Sequence, residues 1–305
     1  MTKKDVANVL GKIAFHTLQI SNPEQSLDFY RNKLGMALIS ESKQQTKKGL
    51  EYSFVLGFQT PENELTNTYL ELVYQEGKRA KVETTDPNQK DGYWKIGITL
   101  EDVDLGRDSL LAAGIGVSEP RQFRDIGYLC HLADPDGHSI ELLQHRFAEN
   151  HTRLEPQPQY KLMSRPTFGQ ITLRINDPEK SLRFYQEGFG MRLLSRQIVE
   201  PYKFTLYFLA YTNDKLPFDD IDHVGNREWL WQRPYTTLEL QHVWGTETDK
   251  SVYRTGAETG FIGMGFATPN NGRTVEKCTA VGATFNDNIV FDPDHYQIRL
   301  IETGA

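Results

Sequence analysis

Three glutamates in this chain stand where a carboxylate is costly. Glu71 lies in "YLELVY", Glu141 in "SIELL" and Glu239 in "TTLELQ". Each is flanked by Leu or Ile, and the two-residue period of a strand sends those neighbours to a packed face and the glutamate to the other. An inward carboxylate without a partner is unfavourable. Such a group is held in an ion pair, binds a metal, or moves a proton. In "GYWKIGITLEDV" the same alternation puts Lys95, Gly97 and Thr99 opposite Ile96, Ile98 and Leu100, so a lysine faces inward as well. In "QITLRI" it turns Gln170, Thr172 and Arg174 inward.

The elements that must position these residues come as a repeat. "FHTLQISNPEQSLDFYRNKLGMALIS" (15–40) returns as "QITLRINDPEKSLRFYQEGFGMRLLS" (170–195) with about half the positions identical and no gap. "NTYLELVYQEG" matches "YTTLELQHVWG", "GYWKIGITLEDV" matches "GFIGMGFATPNN", and "ADPDGHSIELL" matches "FDPDHYQIRLI". Two homologous halves follow, 13–147 and 167–303. The segment 148–166 joins them and, with its three prolines, reads as a linker. Within each half a strand leads to a helix capped by Asn22 or Asp177, with Pro23 or Pro178 at the first helical position. Leu27, Tyr30 and Leu34 hold helical spacing and Gly35 ends the first helix. Strands follow, and the order then recurs, giving a βαβββ unit four times.

Four such units, the "SLDFYRNKLGM" helix, the "LEL" strands and the closing "DPDG" turn before "IEL" resemble the glyoxalase I / vicinal oxygen chelate superfamily. The resemblance covers nearly the whole chain. It implies an α+β fold of two tandem vicinal-oxygen-chelate domains, with mixed sheets curled around a cavity. In that family one residue from each of four strands binds a metal, and a tandem chain combines the first unit of one half with the second unit of the other. One site would then hold Gln170, Glu239, Lys95 and Glu141, and the other Phe15, Glu71, Gly263 and Arg299. The family pattern is Gln or His, Glu, His, Glu. The second set keeps one ligand of the four, and Arg299 is expected to pair with Glu71 in place of a metal. The segment from Gly282 to Asp292 is also ten residues shorter than its counterpart from Gly114 to Asp134, which removes part of that site's wall.

The first set implies Gln170, Glu239 and Glu141 as ligands of a divalent metal, zinc or nickel ahead of manganese or iron. Glu141 would be the base of a lactoylglutathione-lyase-like carbon–sulfur lyase, acting on a small hemithioacetal or vicinal-oxygen substrate through an enediolate. Lys95 stands where a histidine belongs. Three roles are open: Lys95 as a fixed positive charge, Lys95 as a neutral ligand, or His131 of "GYLCHLADPDG" as the missing imidazole, so that Lys95 joins Glu141 as a catalytic candidate and His131 as a substrate-binding one. Arg174 matches a glutathione-carboxylate arginine of the family, whereas Val243 stands where an asparagine partner is expected and Asp91 where the family has a basic residue before the histidine. Two rival classes stand beside the lyase: a non-catalytic or metal-free small-molecule binder, and an extradiol-type dioxygenase.

The remaining signals bound the setting. Net charge is −7, which disfavours a nucleic-acid partner. No run of 18 apolar residues suggests a membrane span, and the start does not read as a signal peptide. Cys130 and Cys278 read as buried thiols of a cytoplasmic protein. A small molecule, glutathione-derived or otherwise, is the expected partner, and a monomer suffices, with a homodimer compatible. His16 falls on the apolar face and reads as structural, His138 and His145 as solvated. Trp229 and Trp231, in a loop longer than its first-half counterpart, read equally as a lid or as core.

Overall fold

A computed structural model of the chain describes residues 10–46, 49–59, 68–78, 90–249 and 253–302. The start of the chain and Thr303 lie outside the described residues. The first unit comprises β1 (Lys12–Ile20), α1 (Pro23–Leu27), β2 (Ala37–Thr46), β3 (Gly49–Gly57) and β4 (Tyr69–Gln75). The second has β5 (Tyr93–Leu100), α2 (Val103–Ala112), β6 (Arg121–Phe123), β7 (Gly127–Ala133) and β8 (Ser139–Gln144). The third has β9 (Pro166–Ile175), α3 (Pro178–Arg183), β10 (Arg192–Val199), β11 (Phe204–Ala210), an inserted α4 (Gly225–Trp231) and β12 (Thr237–Val243). The fourth has β13 (Phe261–Thr268), α5 (Asn271–Ala280), β14 (Thr284–Asn286), β15 (Ile289–Phe291) and β16 (Gln297–Glu302).

The strands form two eight-stranded mixed sheets, ordered β14-β15-β16-β13-β1-β4-β3-β2 and β10-β11-β12-β9-β5-β8-β7-β6. Each sheet takes one unit from each half. The outer sheet joins the first and fourth units through the antiparallel β1–β13 pair. The inner sheet joins the second and third through β5–β9. Leu18, Ile20, Ile96, Ile98, Ile171, Leu173, Phe266 and Ile298 belong to one core that spans both sheets.

The caps form as expected: Asn22 Oδ1 accepts from Gln25 N at 3.2 Å, and Asp177 Oδ1 from Glu179 N and Lys180 N. The helices themselves depart from a simple α-helix. α1 widens into a π-helical turn over Asp28–Lys33, and α3 does so over Phe184–Gly188. In each case the wide turn presents a buried Phe-Tyr pair, Phe29–Tyr30 and Phe184–Tyr185. The tyrosine hydroxyls donate to Asp134 at 2.9 Å and Asp292 at 2.8 Å, the first aspartates of the two "DPD" turns. Those turns fasten unit to unit. Asp136 accepts from Ser21 N, and Asp294 from Asn176 N, both at 3.0 Å. The docking explains why His138 is not solvated. It is 1% exposed, and its ring bonds the Gln19 carbonyl at 3.0 Å. His145 is half-buried, and burial lowers its pKa to about 4. Cys130 and Cys278 are buried as expected, and burial pushes both thiols up to about 12. Among the described residues no helix is long and apolar enough to cross a membrane.

Candidate active site on the inner sheet

The strand register sets the site. Lys95 on β5 lies opposite Thr172 on β9, which lies opposite Glu239 on β12. Two residues along, His131 on β7 lies opposite Glu141 on β8, then Gly97, then Gln170. Two neighbouring rows on one face therefore carry every residue of the expected first set, together with His131. Gly97 is the gap that makes the rows fit. A Cβ there would stand 2.3 Å from Gln170 Cγ, so the amide lies across the glycine and reaches both carboxylates.

Gln170 Nε2 donates to Glu141 Oε1 at 3.0 Å and to Glu239 Oε2 at 2.9 Å. The Thr172 hydroxyl also donates to Glu239 Oε2. On the other side, Lys95 Nζ donates to Glu141 Oε2, and His131 Nε2 meets the same oxygen at 3.0 Å. The Lys95 and Glu141 side chains are only 6% and 4% exposed, whereas that of His131 is 40% exposed. Burial alone would raise the Glu141 pKa. The Lys95 ammonium and the His131 bond outweigh it and hold the carboxyl at about 2. For Glu239 the balance goes the other way: burial raises its pKa, Lys95 opposes and Glu141 adds to the rise.

Above this polar floor is a cavity of about 340 Å³ walled by Phe123, Ile126, Leu129, Phe204, Phe208 and Trp231, with Arg121 also on the lining. Helix α4 is built from the long third-unit loop and clamps onto the β6–β7 hairpin. Trp231 Nε1 donates to the Ile126 carbonyl at 2.9 Å, and Arg227 pairs with Asp125 at 2.7 Å. Trp231 is thus a fixed wall, 2% exposed, while Trp229 lies under the Arg233 guanidinium at 4.5 Å.

Arg174 is not among the cavity-lining residues. It donates to Gln241 Oε1 at 3.2 Å and to the Asp91 carbonyl at 2.7 Å. Its guanidinium lies 4.8 Å from the centre of the Trp94 ring, over which Lys95 Nζ also sits at 4.4 Å. Strict alternation would send Trp94 away from Lys95. An irregularity in the β5–β9 register between Tyr93 and Lys95 brings both to the cavity. Trp94, Thr172 as a partner of Glu239, and the space at Gly97 are the features that sequence reasoning did not assign. Thr172 at least carried a signal, since alternation turned it inward.

The second set is built differently. Glu71 accepts from Thr17 at 2.9 Å, Ser53 at 3.0 Å and Arg299 at 3.0 Å. The Arg299 guanidinium lies 5.4 Å from the Phe15 ring centre, and Gly263 lines the same polar cavity of about 280 Å³. The expected ion pair is present. The short β14–β15 hairpin, three residues per strand, stands where β6–β7 walls the other cavity.

The donors of the first set do not fit a divalent metal. An ammonium has no lone pair to give and repels a cation. The carboxylates are bridged by N–H donors from Gln170, so it is the amide nitrogen, not its oxygen, that faces both of them. Among the described residues no group of three or more His, Cys, Asp or Glu side chains is arranged to hold a metal.

Comparison with known proteins accords with this architecture. The chain is 28% identical to the lactoylglutathione lyase of Schizosaccharomyces pombe over 94% of this chain and 95% of that protein. It is 27% identical to glyoxalase I of Saccharomyces cerevisiae over 93% and 86%. The crystal structure of glyoxalase I from Zea mays superposes with a TM-score of 0.70 at 19% identity, covering 96% of this chain and 92% of that one, which shows the fold. The family model described as Glyoxalase/Bleomycin resistance protein/Dioxygenase superfamily matches residues 12–142 and 167–300. With most of both halves matched, the chain belongs to that superfamily.

Proposed function

We propose that the chain is a glyoxalase-I-like lyase or isomerase with one working centre, on the inner sheet, acting on a small substrate that carries two adjacent oxygens. The observation that carries this reading is the pair of buried carboxylates, Glu141 and Glu239, from different halves, joined by the Gln170 amide at the floor of a cavity. The likeness to lactoylglutathione lyases over nearly the full length of both chains supports the reaction class.

In the reaction, a carboxylate takes the proton from the carbon next to a carbonyl. The C–H electrons form a C=C bond and the carbonyl π pair moves to its oxygen, giving an enediolate; the proton is then delivered to the former carbonyl carbon, while the neighbouring hydroxyl passes its proton to the enolate oxygen and becomes the new carbonyl. The family resemblance assigns the proton to Glu141. The hydrogen bonds favour Glu239, because Glu141 already accepts from Lys95, His131 and Gln170, and its proton affinity is correspondingly low. Glu141 then orients Lys95, which among the described residues keeps two N–H donors for the substrate oxygens. His131, the most exposed of the group, is placed to bond a substrate oxygen or exchange a proton with solvent.

The test is proton exchange and product formation. The protein would be incubated with the hemithioacetal of methylglyoxal and glutathione, and with glutathione-free α-hydroxy ketones, in deuterated water. Thioester absorbance and deuterium at the α-carbon would be followed. Turnover lost in Glu239→Gln supports the reading. Tight binding of such compounds with no exchange would overturn it in favour of a binding protein, a role that the apolar walls and the engaged Glu141 also suit.

A further inference from the structure

We infer that the Lys95 ammonium takes the place of a metal ion in this centre, so that the chain works without one. The inference deepens the reading above and rests on it for the reaction, but not for the metal. A metal in such a centre does two things: it neutralises converging carboxylates, and it offers positive charge to oxygens of the substrate. Lys95 has the means for both. Its Nζ donates to Glu141, its stem is buried, and the Trp94 ring lies beneath the charge at 4.4 Å. It also lines the cavity, and among the described residues its Nζ donates to Glu141 alone.

The surrounding hydrogen bonds are those of a cation already in place. Glu141 Oε2 is shared by Lys95 and His131, and Glu141 Oε1 accepts from Gln170. Glu239 Oε2 accepts from Gln170 and Thr172. An entering divalent ion would have to displace N–H donors from both carboxylates, rotate the Gln170 amide and come up against an ammonium. The Gln170 oxygen, buried and without a hydrogen-bond partner among the described residues, is left as an acceptor for a substrate hydroxyl.

The same geometry predicts a gain of function. In Lys95→His an imidazole nitrogen can offer a lone pair beside Gln170, Glu141 and Glu239, a set of one nitrogen and three oxygens that suits zinc or nickel. Wild type and Lys95→His would each be loaded with zinc or nickel, passed through a chelating column, and assayed for bound metal by mass spectrometry. Wild type is expected to retain essentially none and Lys95→His roughly one ion per chain, with the ion lost again in the Lys95→His/Glu141→Gln double variant. Wild type that keeps close to one ion per chain, lost on Glu141→Gln, overturns the inference. Should Lys95→His not fold, titration of wild type alone decides, because tight stoichiometric binding is excluded by the proposed arrangement. Metal-free wild type that turns nothing over would count against the proposed reaction and leave the metal result standing.

Discussion

Replacing Lys95 by methionine removes the charge and keeps most of the stem. Glu141 would then lie 3% exposed with His131 and Gln170 as its remaining partners among the described residues. In the intact protein its carboxyl is held at about 2 against an ordinary 4.5, with burial pulling the other way and Lys95 the largest opposing influence. At 1.36 kcal/mol per pH unit that corresponds to about 3 kcal/mol of stability, in line with the roughly 3–5 kcal/mol lost when one partner of a buried pair is removed. The folded pKa lies below the unfolded one, so this contribution is present above about pH 4.5 and disappears as pH falls toward 2. Urea unfolding of wild type and Lys95→Met at pH 7 should differ by about 3 kcal/mol. The gap should close between pH 4.5 and 2, and the double variant Lys95→Met/Glu141→Gln should recover most of the loss. Equal stability of the two proteins at pH 7, or a gap independent of pH, would refute the reasoning.

Other outcomes follow from single features. Gly97→Ala would push its Cβ into Gln170 Cγ, so stability should fall by about 1–3 kcal/mol and turnover should drop with it. Unchanged values for both would show that the glycine is not what makes room for the amide. His16 is buried among Tyr93, Phe168 and Phe261, and burial, aided by His138, lowers its pKa to about 3. The unfolded chain therefore binds the extra proton between pH 6.5 and 3, and stability falls as pH falls through that window, by up to about 5 kcal/mol. Stability curves of His16→Phe against wild type should diverge over that range, and parallel curves would refute it. Arg299→Leu should break the Glu71 pair and leave turnover intact, whereas Glu141→Gln should abolish it. Activity lost with Arg299 would mean that the outer sheet carries chemistry too.

Much of this was legible in the sequence. The four units, the caps at Asn22 and Asp177, and the inward faces of Glu239, Glu141 and Gln170 follow from repetition and a period of two, because a strand offers only two faces. The Glu71–Arg299 pair followed from opposite charges at two positions that the family resemblance places in one site. What was not legible depends on departures from regularity or on distant docking. Trp94 reaches the cavity through a register irregularity, which no alternation encodes. The π-helical turns coincide with tertiary bonds from Tyr30 and Tyr185 to aspartates more than 100 residues away. His138 looked solvated because it follows a turn, and only the docking of that turn on the first unit buries it. Trp231 is a wall because Arg227 and Asp125 clamp α4 onto a hairpin about 100 residues earlier.

The way the sheets draw on the chain has a kinetic side. Every strand of the inner sheet lies between Tyr93 and Val243, the middle of the sequence, while the outer sheet must bring its two ends together. Ile96 pairs with Ile171, about 75 residues on, whereas Ile13 pairs with Phe266, about 250 residues on. Closing the longer loop from an open chain costs about 1 kcal/mol more, and nonlocal pairing is slow to begin with. Once β5 and β9 are joined, the ends are drawn in and the β1–β13 closure becomes far shorter. The sheet that holds the carboxylates is therefore expected to fold first and to template the other. In pulsed hydrogen exchange during refolding, the amides of β5 and β9 should gain protection before those of β1 and β13. The reverse order would mean that the chain closes its ends before its middle.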